Sequence, residues 1–401
     1  MWIRKIIKET NAMKHSYFKI LLLLPLFYST VFAKTCPVKI NEILAHTDLP
    51  AVDFIELYNP TDQDILLDGW YLSDDENNPA LYKIPNNSTI SAKGYFAILG
   101  DNDDNPDNNN LLPENYYGSA FSLSSHGEKL TLSTPDLNNC HTVTFQDSAN
   151  NESFGRHINS AGKELFPAQK KSTIKAENTG PRIPDIVISE ICYRPALEDA
   201  EFIEITNISE NTVKFYDPLF PENRWKISGI NFTFPENSKI GVDETILVIS
   251  SKVDIQKFRP LHSIPSHITI YQFTGRLDKY GETISLKYPD KPDEKYIPYI
   301  VMDEVSYSFN SPWTADKNAP FTIEKTPIDN FANDPAAWRL SSDALGTPGK
   351  IGDNPFADAP DEEVIPENEQ SPDEDSSSPG KTGSFPGSTD NSNGCSCILI
   401  Y

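Results

Sequence analysis

The sequence predicts an all-β protein that contains two copies of one domain, each a sandwich or barrel of short strands. Short apolar runs rich in Ile, Val, Phe and Tyr alternate with clusters of Asn, Asp, Pro and Gly, a pattern typical of strands and turns. No segment shows a convincing helical apolar period. A long internal repeat, far longer than a solenoid unit, indicates two domains.

The repeat is clearest in a pair of glutamates. Glu42 precedes Glu56 by 14 residues, and Glu190 precedes Glu204 by 14 residues. The second glutamate of each pair lies in a Phe-Ile-Glu run, and a Gly-Glu segment further along also recurs. The chain therefore consists of two related halves.

The apolar runs predict six strands in each half. In the first half they are residues 38–44, 53–59, 65–73, 95–99, 129–133 and 142–145. In the second half they are residues 186–192, 200–206, 225–227, 245–250, 283–287 and 302–307.

The composition divides the chain into five parts. They are a signal peptide (residues 1–33), a first domain (36–160), a polar Lys-rich linker (161–184), a second domain (185–351) and an acidic tail (352–401). The tail is rich in Asp, Glu, Ser and Pro and nearly free of apolar residues, which predicts a disordered, self-repelling stalk.

The N-terminus has the features of a secretory signal. Lys14 and Lys19 precede a short apolar run, residues 20–27, and Val31 and Ala33 stand at the −3 and −1 sites of a cleavage point. The run is too short to span a membrane. We therefore expect a secreted or surface-displayed protein.

The net charge of −24 limits the kinds of partner that the chain can bind. Such an acidic chain repels nucleic-acid phosphates and anionic lipid. We expect no nucleic-acid partner, and membrane attachment only through a C-terminal anchor.

The cysteines of an exported chain suggest a disulfide. Cys36 stands just before the first predicted strand and Cys140 lies in a late turn of the same half, so a bond between them is plausible in an oxidising compartment. Cys192, between apolar neighbours, is expected to be an inert buried thiol.

The paired motifs resemble the lamin-tail domain, an immunoglobulin-like β-sandwich found in nuclear lamins and in bacterial secreted and surface proteins. The residues that carry the resemblance are 41–43, 53–59, 67–74, 121–123, 127–132 and 153–156. The resemblance implies two tandem immunoglobulin-like sandwiches and a binding role, and it carries no catalytic residue. The second half departs from the pattern at residues 218–225, where a modified edge is expected.

The last residues resemble the start of Gly-Cys sorting tails on bacterial surface proteins. Cys395 follows the acidic segment and precedes a few apolar residues. Cys395 is therefore the candidate sorting residue.

An acidic run after the fourth predicted strand is a candidate calcium loop. Asp101, Asp103, Asn105 and Asp107 have alternate oxygen spacing, but Pro106 replaces the usual glycine and no glutamate closes the loop. A calcium site and a solvated polar turn both remain open, and no other cofactor is expected.

The remaining candidates are the glutamates and two tyrosines. Paired carboxylates can act as acid and base, but duplication favours a structural role in which each glutamate is hydrogen bonded within its sandwich. Tyr116 and Tyr117, between Pro113 and Gly118, are the candidate contact surface for a protein or glycan ligand. Trp70 and Trp338 are expected in the cores.

These observations predict a secreted or surface-displayed recognition or adhesion protein that is not an enzyme. His-x-x-x-His spacing, the Gly-x-Ser-x-Gly elbow and the Walker loop are all missing from the sequence. The alternatives are an accessory binding module of an extracellular hydrolase, of nuclease or phosphatase type, and a calcium-stabilised structural spacer.

Overall fold

The computed structural model describes residues 36–48, 51–100, 122–293, 296–313 and 321–350. Within these ranges the chain forms two β-sandwiches in succession, each with its own apolar core. The predicted all-β fold class is confirmed. The predicted signal peptide and acidic tail lie outside the described residues.

The first sandwich contains short strands joined by polar turns. They are β1 (Lys39–Leu44), β2 (Phe54–Tyr58), β3 (Ile65–Leu66), β4 (Tyr71–Ser73), β5 (Tyr82–Lys83), β6 (Thr89–Ile90), β7 (Tyr95–Leu99), β8 (Lys129–Ser133), β9 (Asn139–Thr144), β10 (Ser153–Gly155), β11 (His157–Ile158) and β12 (Glu164–Leu165).

Two antiparallel sheets face each other in this sandwich, in the orders β10-β1-β2-β7 and β5-β4-β8-β9. Because side chains alternate along a strand, β2 turns Ile55 and Leu57 into the core and Glu56 to the opposite face. Trp70 is buried in the same core, as the sequence predicts.

The second sandwich repeats this plan with additions. Its elements are β13 (Ile186–Arg194), β14 (Phe202–Asn207), β15 (Val213–Lys214), β16 (Lys226–Ser228), β17 (Phe232–Thr233), β18 (Lys239–Ile240), β19 (Thr245–Ser250), α1 (Ile255–Leu261), β20 (Thr269–Phe273), β21 (Gly281–Pro289), β22 (Tyr299–Ser308), β23 (Phe321–Lys325) and β24 (Trp338–Leu340).

The strand orders of the two sandwiches correspond. The sheet β20-β19-β14-β13-β23-β24 contains the equivalents of β7, β2, β1 and β10 at its centre, and β17-β16-β21-β22 corresponds to β5-β4-β8-β9. Strands β20 and β24 extend the first of these sheets at its two edges.

A short helix, α1, accompanies the strands of the second sandwich. Asp254 caps its N-terminus by accepting a hydrogen bond from the N–H of Gln256, at 2.9 Å. The helix has only seven residues and buries only Phe258, so it is too short to produce a recognisable apolar period. It links β19 to β20, which pair in parallel and so need a crossover.

One predicted strand, residues 65–73, is wrong in its extent. The chain turns at Gly69, whose φ is 77°, and the run divides into β3 and β4, which belong to different sheets. Glycine permits this left-handed conformation at no steric cost.

The segment predicted as a linker, residues 161–184, is in the structure attached to the first sandwich. It contributes β12, and isolated bridges join Phe154 to Ala168 and Gln169 to Pro181. Its polar composition concealed this role, because many of its contacts with the sandwich are hydrogen bonds of backbone and polar side chains, while few apolar residues, among them Phe166 and Ala168, pack against the core.

The two sandwiches contact each other directly. Asp147 accepts hydrogen bonds from the hydroxyl of Tyr296, at 2.8 Å, and from the N–H of Tyr299, at 2.9 Å. Arg182 donates to the carbonyl of Val301 at 3.0 Å. Both sandwiches lie in one compact unit of the chain.

The sulfurs of Cys36 and Cys140 are joined in a disulfide that links the segment just before β1 to β9, across a sequence separation of 104. Cys192 is a buried free thiol, as expected, and burial raises its pKa to about 12.

Removing the disulfide should destabilise the first sandwich. A closed loop of this length restricts the unfolded chain, so the Cys36→Ala/Cys140→Ala variant should lose about 4 kcal/mol of unfolding free energy, measured by urea denaturation. Reductant should lower the stability of the unmodified protein to a similar degree and leave the variant unchanged. Equal stability of the two proteins without reductant would contradict this role.

Candidate functional site: a groove beside the buried glutamates

The first sheet carries two buried glutamates on the face opposite the core. Glu42 on β1 stands directly across from Glu56 on β2, and both side chains are fully buried. A buried carboxylate is costly unless hydrogen-bond donors surround it. The surroundings of the pair therefore determine whether this sheet is stable.

A short segment after the sandwich supplies the donors. We call residues 173–175 the first strap. Thr173 donates its N–H to Glu42 at 3.0 Å and its hydroxyl at 2.8 Å, and Lys175 donates its N–H to Glu56. Asn41 adds a side-chain hydrogen bond to Glu56 at 2.9 Å.

The second sandwich repeats the arrangement. Glu190 and Glu204 face each other across β13 and β14 and are buried. The second strap, residues 347–349, donates the N–H of Thr347 to Glu190 and the N–H of Gly349 to Glu204, both at 2.7 Å.

The two straps share a backbone conformation. Lys175 and Gly349, which hold equivalent positions, both lie in the left-handed region, with φ of 59° and 78°. This conformation suits glycine and strains other residues. The first strap therefore accepts strain at Lys175 that the second avoids.

The glutamates are poorly placed for catalysis. Burial raises the pKa of Glu56 to about 7. Burial also raises the pKa of Glu190, with the charge of Glu204 adding to the effect, and burial raises that of Glu204. Each side chain is enclosed and hydrogen bonded to its strap, which confirms the structural interpretation.

A groove opens beside the first strap. Tyr58 and Tyr95 pair across β2 and β7 on the glutamate face of the sheet, with ring centroids 5.0 Å apart. The guanidinium of Arg156 lies 5.7 Å from the centroid of the Tyr58 ring. Both rings are half-buried, so one part of each is available to a ligand.

Polar groups from several elements complete the groove, which has a volume of about 370 Å³. The other lining residues are Asn41, His157, Ile158, Glu177, Asn178 and Gly180. Asn178 is held by Asn41, which donates to it at 2.8 Å, and Asn178 donates to the carbonyl of Arg156 at 3.0 Å. The walls are thus fixed before any ligand arrives.

Two side chains bring polar groups to the groove. Arg156 lines it and forms an ion pair with Glu164, with 3.5 Å between Nη1 and the carboxylate oxygen. Burial raises the pKa of Tyr95, so its hydroxyl stays protonated at neutral pH. The groove therefore offers donors next to an aromatic surface.

The second sandwich has no such aromatic pair at the equivalent position. Thr206 and Thr245 stand where Tyr58 and Tyr95 stand in the first, and their hydroxyls are 3.1 Å apart. Both sandwiches thus have a glutamate pair and a strap, whereas the tyrosine pair of the groove belongs to the first sandwich.

Sequence reasoning missed this groove. It identified exposed aromatic pairs that are adjacent in the chain, whereas Tyr58 and Tyr95 are 37 positions apart and become neighbours only through strand pairing. The available signal was Tyr58 two positions after Glu56, on the face away from the core.

Several predicted site residues lie outside the described part of the chain. They are the candidate calcium ligands Asp101, Asp103, Asn105 and Asp107, the candidate contact residues Tyr116 and Tyr117, and the candidate sorting residue Cys395. Calcium binding, that contact surface and sorting therefore stay predictions.

Neither a metal-binding cluster nor a membrane-spanning helix is found among the described residues. No group of three or more His, Cys, Asp or Glu there could hold a metal ion. No helix in those ranges is long and apolar enough to cross a membrane.

Comparison with known families gives one match, which covers most of the first sandwich. Residues 33–152 match the family model described as Lamin Tail Domain. Domains of that family are non-catalytic and immunoglobulin-like. The matched residues include Glu42, Glu56, Tyr58 and Tyr95, whereas Arg156 and the first strap follow them. No curated protein and no solved structure matches the chain.

Substitutions at the equivalent strap positions, Gly349 and Lys175, should have unequal effects on stability. Gly349→Ala should lower the unfolding free energy by about 1–2 kcal/mol, because alanine is strained at positive φ, and its Cβ would lie 3.3 Å from Ile264. Lys175→Gly should change stability by less than about 1 kcal/mol, because strain relief offsets the added freedom of the unfolded chain. Urea denaturation of both variants measures these changes. Equal losses of unfolding free energy would contradict the difference in backbone strain between the two straps.

The buried glutamates should make stability depend on pH. A carboxyl whose pKa is raised in the folded state favours folding below its ordinary pKa of 4.5, and this contribution is lost as pH rises toward the raised value. Glu190→Gln, which stays neutral, should reduce the loss of unfolding free energy between about pH 5 and pH 9. The matched control Glu236→Gln alters an exposed carboxyl and should keep the original profile. An unchanged profile in Glu190→Gln would contradict the assignment.

Proposed function

We propose that the protein is an exported, non-enzymatic recognition protein whose first sandwich binds a carbohydrate in the groove lined by Tyr58, Tyr95 and Arg156. The observation that carries the proposal is the cross-strand tyrosine pair, with rings 5.0 Å apart, beside the guanidinium of Arg156, which lies 5.7 Å from the centroid of the Tyr58 ring. Tyrosine and arginine are enriched at binding hot spots.

The chemistry of the groove favours a sugar over an extended peptide. Aromatic rings present flat apolar faces with polar tips, which match the apolar C–H faces and the hydroxyls of a pyranose ring. Glu177 can accept hydrogen bonds from sugar hydroxyls, and Arg156 can donate them. A bound peptide strand would instead pair with the backbone of an edge strand such as β7, whereas the rings of Tyr58 and Tyr95 lie on the face of the sheet.

Export is supported by two independent features. The signal-peptide pattern of residues 1–33 is directly followed by Cys36, which is bonded to Cys140, and disulfides persist in oxidising compartments. A non-enzymatic role is supported by the enclosed state of the paired glutamates. Surface attachment through Cys395 belongs to the same proposal.

We infer that the second sandwich is a diverged copy of the lamin tail domain. The corresponding strand orders, the equally spaced glutamates and the equivalent straps support this inference. Its Thr206–Thr245 pair suits a supporting role, and the carbohydrate site is assigned to the first sandwich alone.

A threonine graft tests the groove. The Tyr58→Thr/Tyr95→Thr variant copies the residues that the second sandwich uses, so it should fold, and it should bind the recognised glycan at least about tenfold more weakly, a loss of about 1.4 kcal/mol. An array of immobilised glycans would identify the ligand, and calorimetry would give the affinities. Tyr280→Thr, which removes an exposed tyrosine of the second sandwich, is the matched control.

Two outcomes would overturn the assignment. One is that the folded protein binds no glycan on the array. The other is that the threonine graft and the Tyr280→Thr control bind the glycan equally well, which would place the site elsewhere.

A further inference from the structure

A second cavity lies where the two sandwiches meet, away from the carbohydrate groove. We call it the joint cavity. Its volume is about 210 Å³, and both sandwiches contribute to its walls. Ligand sites form preferentially at such domain interfaces.

The walls contain apolar and aromatic side chains next to polar ones. The first sandwich and the segment after it contribute Phe145, Phe154 and Phe166, and the second contributes Met302 and Phe331. Phe145 and Phe154 already pack together, with ring centroids 5.6 Å apart. Aromatic and thioether groups make favourable contacts with a further ring.

The polar groups at the cavity have partners already. Gln146 donates to Glu304 at 3.3 Å and accepts from Lys287 at 2.9 Å. Arg182 donates to Glu152 at 2.7 Å as well as to Val301. A buried water needs about two to four polar partners, so this site suits an apolar occupant better than water.

The charges at the cavity select among apolar occupants. Its lining contains the carboxyl groups of Asp147, Glu152, Asp303 and Glu304. Arg182 pairs with Glu152 at 2.7 Å, and Lys325, behind the lining, lies 3.6 Å from Asp303, so the excess negative charge is that of Asp147 and Glu304. An anionic ligand would be repelled, whereas a neutral or cationic ligand would not be.

We propose that the joint cavity binds a small neutral or cationic aromatic molecule. Its volume exceeds the roughly 150 Å³ of an apolar cavity, engineered in another protein, that accepts benzene. The ligand would contact both sandwiches at once, so it would also stabilise their junction. This site is independent of the proposed carbohydrate groove.

Three related probes test the cavity and its charge preference. Indole, tryptamine and indole-3-acetate share one ring system and are neutral, cationic and anionic at neutral pH. Calorimetry with the full chain should show binding of indole and tryptamine, and at least about tenfold weaker binding of indole-3-acetate. Indole should also raise the melting temperature of the protein.

Variants place the binding in the cavity. Ala168→Phe adds a ring to the lining and should abolish indole binding, whereas Ala161→Phe adds the same ring to an exposed turn and should leave it unchanged. If Ala168→Phe does not fold, Met302→Trp fills the same space from the second sandwich. The Tyr58→Thr/Tyr95→Thr variant should bind indole normally, which separates this test from that of the groove.

The proposal fails if the folded protein binds neither indole nor tryptamine at millimolar concentration. It also fails if a folded cavity-filling variant binds indole as well as the Ala161→Phe control does. Equal affinity for all three probes would overturn the charge preference and leave a site selected by shape alone.

Discussion

The hydrogen bonds from each strap to a pair of buried glutamates are the interaction on which the rest of the structure depends. Each sheet places two carboxylates opposite each other, away from the core, where they would oppose folding without donors. Thr173 and Thr347 each cover the first glutamate of a pair, and the residue two positions on covers the second. The chain leaving each sandwich is thereby bound to the sheet that it has just completed.

The hydrogen bonds from the straps explain how the two sandwiches can differ around their glutamates and still keep the same pair of sheets. Glu190 pairs across the sheet with Glu324, whereas Glu42 pairs with Gly155. A Cβ at Gly155 would lie 2.7 Å from the side chain of Gln169, so only glycine leaves room for the segment that follows the first sandwich. The second sandwich instead adds α1 and two edge strands, and its Thr206–Thr245 pair replaces the tyrosines. Changes around the glutamates are tolerated because the straps supply the same donors in both.

The segment that contains the first strap also contributes residues to both proposed binding sites. The segment that contains the strap forms one wall of the groove through Glu177 and Gly180, and its flanks reach the joint cavity through Phe166 and Arg182. Polar contacts such as those of Asp147 then hold the second sandwich against the first. A segment of polar composition therefore helps to form both the groove and the joint cavity, although most of their lining residues come from other parts of the chain.

The sequence by itself determined the fold class and many strand positions, because alternating apolar runs and turn residues are local signals. It also indicated that the repeated glutamates are structural and that Cys36 and Cys140 stand near each other. It did not indicate the straps, the groove or the seven-residue helix α1. Only the tertiary structure decided these features. Thr173 and Glu42 are 131 positions apart, and their contact uses a backbone N–H that every residue type except proline carries. The tyrosine pair likewise arises from strand register, which no local pattern in the chain specifies.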